Sequence, residues 1–257
     1  MIDILLTAFL LSVVLLGIHS FYGLEIIKRG IIFTDLAIGQ MSALGAAVSI
    51  YFFNEQYLYP ISLIFALLAG FVISLASRRT NRLEAFIGIL YALGISAVFL
   101  LLSKSSHGME KFQKLMAADI LFTPMIEVIK VAGIYAVIGV ILFILYKKTS
   151  GFLKDLLFFI TFAATVTSSV KLAGVLIVFA LLVGPALIAI CINRWEKFKL
   201  AIAWIIGTII NLAAIWVSYS LDLPTGYTIV FSHALIVIII VLLTPKRKCE
   251  DDEVCTP

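Results

Sequence analysis

One uninterrupted apolar run, residues 156–192, most constrains what this chain can fold into. The run contains a single charged residue, Lys171. Because a helix rises about 1.5 Å per residue, about 20 apolar residues cross the hydrocarbon core of a bilayer. The run is nearly twice that length, so it predicts two crossings joined by a tight turn. The polar stretch 167–174 is the expected turn, and Pro185 is expected to bend the second crossing or end its regular part.

The composition extends this interpretation to the whole chain. The 257 residues are 63% hydrophobic and 13% charged, whereas soluble domains carry about 25% charged residues. Further apolar runs predict nine crossings, at roughly 4–23, 31–53, 58–77, 84–103, 125–146, 156–172, 174–192, 200–219 and 228–244. We therefore expect an all-α fold, a polytopic membrane helix bundle of eight or nine transmembrane segments. Residues 1–246 would form one transmembrane domain, followed by an acidic tail at 247–257.

The distribution of basic residues predicts the orientation of the bundle. Fourteen of the 19 Lys and Arg residues fall in every second loop, at Lys28, Arg29, Arg78, Arg79, Arg82, Lys147, Lys148, Lys154, Arg194, Lys197, Lys199, Lys246, Arg247 and Lys248. Cytoplasmic loops of membrane proteins carry such an excess. The N-terminus is therefore expected outside and the C-terminus in the cytoplasm.

The second apolar run begins with an intramembrane carboxylate, that of Asp35. A small, polar stripe follows at spacings of 4, 3, 4 and 3, formed by Asp35, Gly39, Ser42, Ala46 and Ser49. Helical periodicity places these residues on one face, and Gln40 adds an amide oxygen off the stripe. An intramembrane carboxylate points to a pathway or to a buried partner. In the alternative, the small residues only allow close helix packing, with Asp35 hydrated or paired with Arg29.

The longest loop, 104–124, predicts an additional helix on the outer surface. From Met109 to Ile120 the apolar residues share one face, which is typical of an amphipathic helix. This helix could be a lid or lining at a pathway mouth, or only a connector. His107 and Glu110 flank Met109 and could ligate a transition metal, although the signal is weak and we favour a solvated loop.

Two negative findings limit the function. No G-x-x-x-x-G-K-[ST] phosphate loop occurs in the chain, so it cannot hydrolyse ATP by itself. No nucleophile and base stand at a recognisable spacing, so we do not expect an enzyme. Cys249 and Cys255 flank four acidic residues at a spacing that matches no standard zinc site; an acidic, disordered tail is expected there.

Four stretches of the chain resemble a known family. They are 29–45 (RGIIFTDLAIGQMSALG), 84–91 (EAFIGILY), 170–185 (VKLAGVLIVFALLVGP) and 222–226 (DLPTG). Together they resemble the ABC-3 family of permeases, the membrane subunits of bacterial zinc and manganese uptake transporters. The resemblance implies a homodimer in the cell (inner) membrane, surrounded by lipid. It also implies a cytoplasmic ABC ATPase and an extracytoplasmic metal-binding protein as partners. A divalent metal ion would be the substrate, with no permanently bound cofactor and no nucleic-acid partner.

The chain departs from the family pattern in the second crossing. Many members carry Asp and His four residues apart there, as metal ligands. Here Gly39 follows Asp35 at that spacing, and counting back from Gly45 places Gln40 at the His position. Asp35 and Gln40 are five residues apart, about 140° around a helix. They remain the expected metal ligands, but cannot form the same clamp.

The second departure lies in the loop before the paired crossings, 147–155, which is shorter than in the family. The resemblance implies that this loop docks on the ATPase, through Lys148, Ser150, Gly151, Lys154 and Asp155. Three functions stay open: an ATP-driven metal-ion permease, a permease for a metal chelate or other small solute, and a non-transporting scaffold or sensor.

The predicted orientation can be tested by cysteine labelling. A cysteine at Arg79 should react with a membrane-impermeant thiol reagent only after the cells are opened, because its loop is expected in the cytoplasm. Labelling of this cysteine in intact cells would contradict the orientation.

Overall fold

A computed structural model describes residues 2–105, 107–116, 120–146, 148–192 and 195–244, and this part of the chain is built from helices. The helices are α1 (Ile2–Arg29), α2 (Thr34–Phe53), α3 (Leu58–Ala76), α4 (Leu83–Leu102), α5 (Gly108–Met116), α6 (Met125–Leu145), α7 (Phe152–Ala173), α8 (Val175–Ile192), α9 (Glu196–Leu221) and α10 (Thr225–Leu243), with a single 3₁₀ turn at Ile120–Phe122. No strand occurs in the described ranges, so the predicted all-α fold is confirmed.

Nine helices in the described residues, all except α5, are long and apolar enough to cross a membrane. They contain 18 to 28 residues, which corresponds to lengths of about 27 to 42 Å. The predicted number of crossings is therefore confirmed by length and composition. The acidic tail lies outside the described residues, and its boundary stays a prediction.

The hairpin between α7 and α8 turns at a single residue. Gly174 has φ 84° and ψ 158°, a conformation that is essentially restricted to glycine. The hydroxyl-bearing residues before it are not in the turn, as the sequence suggested, but inside α7. The Thr167 hydroxyl donates to the Ala163 carbonyl at 2.8 Å, so it is satisfied within its own helix. Pro185 does not end α8, which continues to Ile192.

Side-chain contacts show which helix ends lie together. Arg29 at the end of α1 donates to Asp155 at the start of α7 at 2.9 Å and to Tyr146, after α6, at 3.0 Å. Arg78, after α3, lies 3.5 Å from the same aspartate. We call this the basic end of the bundle. At the opposite end, Lys111 of α5 pairs at 2.7 Å with Glu55 in the α2–α3 loop.

Helices α1 and α8 pack very closely together at Gly23. A Cβ atom added at Gly23 would lie only 1.9 Å from the Leu182 carbonyl oxygen. Six residues earlier on the same helix, a Cβ atom at Gly17 would meet nothing within 4 Å. The two glycines therefore differ sharply in the space around them, although both lie in α1.

This difference gives a matched pair of variants. Gly23→Ala should lower the stability of the purified protein by roughly 1–3 kcal/mol, because α1 and α8 must move apart. Gly17→Ala should leave stability unchanged or raise it slightly, since alanine favours a helix. Thermal unfolding in one detergent measures both. Equal melting temperatures for the two variants would contradict the close approach.

Candidate functional site

A cavity of about 710 Å³ lies in the half of the bundle away from the basic end. Its walls come from α2, α3, α4, α7, α8 and α10, with Phe112 of α5 at one side. Tyr59 and Lys171, which are both exposed, lie close to the opposite end. The cavity is therefore open at that end.

The stripe on α2 provides part of the cavity wall. Gly39, Ser42 and Ala46 line the cavity, whereas Asp35 and Ser49 do not. Gln40, which the sequence placed off the stripe, also lines it. The reason is that α2 packs against α3, α4 and α7, so more than one of its faces points towards the interior. The role of these residues in translocation stays a prediction.

Asp35 lies one helical turn nearer to the basic end than Gly39. Its side chain is 3% exposed, and its Oδ1 atom has no hydrogen-bond partner. The suggested pairing with Arg29 is not observed, because Arg29 binds Glu25 at 3.0 Å and Asp155 at 2.9 Å. Asp35 is also buried away from the surface. Its role in the pathway stays a prediction.

A second carboxylate lies near Asp35, that of Glu84 in the first turn of α4. Its Oε1 atom accepts the Phe33 backbone N–H at 3.2 Å, and its Oε2 atom is buried without a partner. The sequence suggested that Glu84 only caps α4. The structure shows that it instead links α4 to the start of α2.

Lys171 was recognised in the sequence only as an interruption of an apolar run. In the structure it lines the cavity, and its ammonium nitrogen lies 5.2 Å from the centroid of the Tyr59 ring. This distance is typical of a cation–π contact. The position depends on the packing of α7 against α3, which no periodicity in the sequence indicates.

Helix α5 borders the cavity through Phe112, and its role as a lid or lining stays a prediction. It ends at Met116 rather than at Ile120, and Phe112 reaches the cavity wall. Met109 and Phe112 pack on a small apolar cluster that α2 and α4 form. The ion pair of Lys111 with Glu55 holds the helix to the α2–α3 loop at 2.7 Å.

The predicted metal-ligand role of His107 and Glu110, before and at the start of α5, stays a prediction. His107 is exposed, and within the described ranges no three His, Cys, Asp or Glu residues come together. His19 and His233 are buried side chains with hydrogen bonds, to the Leu15 carbonyl at 2.8 Å and to Asn211 at 2.9 Å. Neither of them lines the cavity.

The segment expected to contact an ATPase lies at the basic end. Lys148 and Ser150 are exposed, whereas Asp155 is bound to Arg29 and Arg78. Lys154 lies over the Tyr146 ring at 4.5 Å, and Gly151 has a positive φ of 61°. Lys147 lies outside the described residues. The segment is thus anchored at Asp155 and leaves polar side chains accessible before it.

The ion-pair cluster at the basic end includes the protonated phenol of Tyr146. Burial, together with the hydrogen bond that the phenol donates to Glu25, raises the pKa of Tyr146 well above its usual range. The phenol therefore stays neutral, donates to Glu25 and accepts from Arg29. It connects the ends of α1 and α6.

Comparison with known proteins identifies the group to which this bundle belongs. Residues 1–244 match the ABC 3 transport family. The chain belongs to this family. The permease is 25% identical over 259 residues to a protein of Haemophilus influenzae named a probable iron transport system membrane protein, covering 95% of this chain and 91% of the relative.

Two solved structures share the fold. PsaBC from Streptococcus pneumoniae, in complex with Fab, matches with a TM-score of 0.73 and 19% identity, covering 95% of this chain and 92% of the other. An inward-facing structure, described as that of a metal-chelate type ABC transporter, matches with a TM-score of 0.68 and 16% identity, covering 92% and 85%. At these identities the likeness shows the fold alone, and it agrees with the expected permease type.

Cysteine labelling can test whether the cavity extends as far as Gln40. In a variant whose three cysteines are replaced by serine, Gln40→Cys should react with a small, charged thiol reagent, because residue 40 lines the cavity. Ile38→Cys, two residues away, should not react, because Ile38 is fully buried and does not line it. Reaction at both positions, or at neither, would contradict the assigned cavity.

Proposed function

We propose that this permease is the membrane-spanning subunit of an ATP-driven metal transporter and that it imports a divalent cation of the zinc and manganese class. The observation that carries the proposal is the arrangement on α2. A cavity reaches Gly39 and Gln40, and a buried carboxylate whose Oδ1 atom has no hydrogen-bond partner, that of Asp35, follows one turn further. The names of the relatives, an iron transport protein among them, support a metal as the substrate.

Physical chemistry supports a pathway role for Asp35. A carboxylate in the low-dielectric interior costs free energy unless it is paired, and such residues mark ion pathways in membrane proteins. Because Arg29 is bound elsewhere, Asp35 can offer an oxygen to a passing cation. The proposed path therefore runs from the cavity past Gln40 to Asp35, towards the basic end.

The donor set favours a hard cation. Gln40 and Asp35 provide amide and carboxylate oxygens, and the described lining of the cavity contains neither cysteine nor histidine. Oxygen ligands suit manganese and magnesium, whereas zinc sites use nitrogen and sulfur more often. Within the proposed class, manganese fits these residues better than zinc.

The remaining components follow from the same proposal. ATP hydrolysis requires a partner ATPase, which would contact the exposed residues Lys148 and Ser150 at the basic end. That end would face the cytoplasm, and the cavity mouth beside α5 would receive the metal from an extracytoplasmic binding protein. The transporter would contain two copies of the permease in the inner membrane. A non-transporting scaffold would not need a cavity that reaches the middle of the bundle.

Replacement of Asp35 tests the proposal. Asp35→Asn keeps the size of the side chain but removes its charge, so it should lower uptake of radioactive manganese at least tenfold in vesicles that contain the whole transporter. Asp222→Asn is the matched control. Asp222 is exposed at the end of α9 with φ 52°, a conformation that asparagine also tolerates, so its uptake should stay normal.

The amount of folded, membrane-inserted protein must be equal in both variants. Normal uptake by Asp35→Asn would remove Asp35 from the pathway. Equal losses in both variants would indicate a general sensitivity to lost negative charge rather than a pathway role.

A further inference from the structure

The cavity wall carries a positive charge, which is not expected of a path for bare cations. Among the described residues, its lining contains one charged side chain, that of Lys171, and no carboxylate. The other polar groups are neutral, for example Gln40, Ser42 and Tyr59. The formal charge on the described cavity wall is therefore that of an ammonium group.

The ammonium group of Lys171 is available to an anion. In the part of the chain that the structure describes, Lys171 contacts the face of the Tyr59 ring and forms no ion pair with a carboxylate. Glu127 is close enough to be influenced by its charge, but that carboxylate binds Lys130 at 2.8 Å. A lysine in this situation favours a negatively charged group, because charge-assisted hydrogen bonds are among the strongest in proteins.

The size of the cavity also exceeds that of a hydrated ion. One water occupies roughly 30 Å³ of liquid, so a cation with six waters occupies roughly 200 Å³. The cavity has about 710 Å³. A bare divalent cation would leave most of this space empty and would be repelled by Lys171. An ion that carries an organic ligand would fill more of it.

We infer that the metal enters this cavity as a complex with a small carboxylate ligand, and that Lys171 binds a carboxylate of that ligand. The inference rests on the proposed function and names the chemical form of its substrate. The cation of the complex would lie towards Gln40, with Asp35 beyond it, and the anionic ligand would lie towards the mouth. Lys171 would thus determine specificity by requiring an anion beside the metal.

Direct binding tests the inference without transport. The full-length permease is purified in lipid nanodiscs, and binding of radioactive citrate is measured in the presence of Mn²⁺. Lys171→Gln should weaken binding about tenfold or more, which is the loss expected for one charge-assisted contact. Lys171→Arg keeps the charge and should bind within about threefold of the unchanged protein.

Lys104→Gln is the matched control. Lys104 is exposed just after α4, at the same end of the bundle, and does not line the cavity. Its citrate binding should stay unchanged. Size-exclusion profiles show whether each variant is folded. Unchanged binding in Lys171→Gln, or no citrate binding by the unchanged protein, would overturn the inference.

A transport measurement separates this inference from the proposed function. Vesicles with the whole transporter receive radioactive Mn²⁺ either as the hydrated ion or with excess citrate. We expect faster uptake with citrate, and a selective loss of that uptake in Lys171→Gln. If the unchanged transporter takes up the hydrated ion and citrate inhibits it, the inference fails while the proposed function stands. If neither form is taken up, the proposed function fails, and the binding measurement still decides the role of Lys171.

Discussion

The structure depends first on the constraint that every polar group inside a bilayer must find its partner within the protein. Helices meet this constraint for the backbone, and the hydroxyl groups of α7 meet it by bonding to carbonyls of their own helix or to a neighbour, as Ser169 does with Tyr135 at 2.6 Å. Against this background several buried side-chain atoms of the described residues lack a hydrogen-bond partner, and two of them are carboxylate oxygens, Asp35 Oδ1 and Glu84 Oε2. A buried carboxylate oxygen without a partner costs free energy, which is the reason to look for the function of Asp35 in a passing ligand.

Those features of the fold that depend on short stretches of the chain were predictable from the sequence. The number of crossings follows from the lengths of the apolar runs. The α7–α8 turn was predicted only in part, because it lies at the last residue of the expected stretch 167–174, while the rest of that stretch belongs to α7. The position of Pro185 within α8 was less predictable, since a proline can kink a helix that neighbours hold in place. The length of α5 also differed, because amphipathic periodicity does not indicate where a surface helix ends.

The cavity could be predicted only in part, because its wall depends on which helices pack together. The prediction of a stripe assumed that a single face of α2 lines the pathway. Gly39 and Ala46 of that stripe do line the cavity. Asp35 and Ser49 of the stripe do not line the cavity, whereas Gln40, which was expected to add an amide oxygen off the stripe, lines it because α2 packs against three other helices. The sequence did not indicate that Lys171 lines a cavity, since a charge near the end of an apolar run usually only marks a turn.

The two charges along the proposed path have opposite signs and different surroundings. Lys171 lies on the accessible cavity wall, whereas Asp35 is buried towards the basic end. A complex of a cation with an anionic ligand would be oriented by these two charges, with its metal directed inwards.

The ion pairs and the Tyr146 hydrogen bond at the basic end join α1, α6, α7 and the end of α3. Helices α2 and α4 meet there through Glu84 and the Phe33 backbone. Among the described residues, α2, which carries Gln40 and Asp35, is therefore not held by the ion-pair cluster, whereas α3 and α7, which line the cavity through Tyr59 and Lys171, are joined to it.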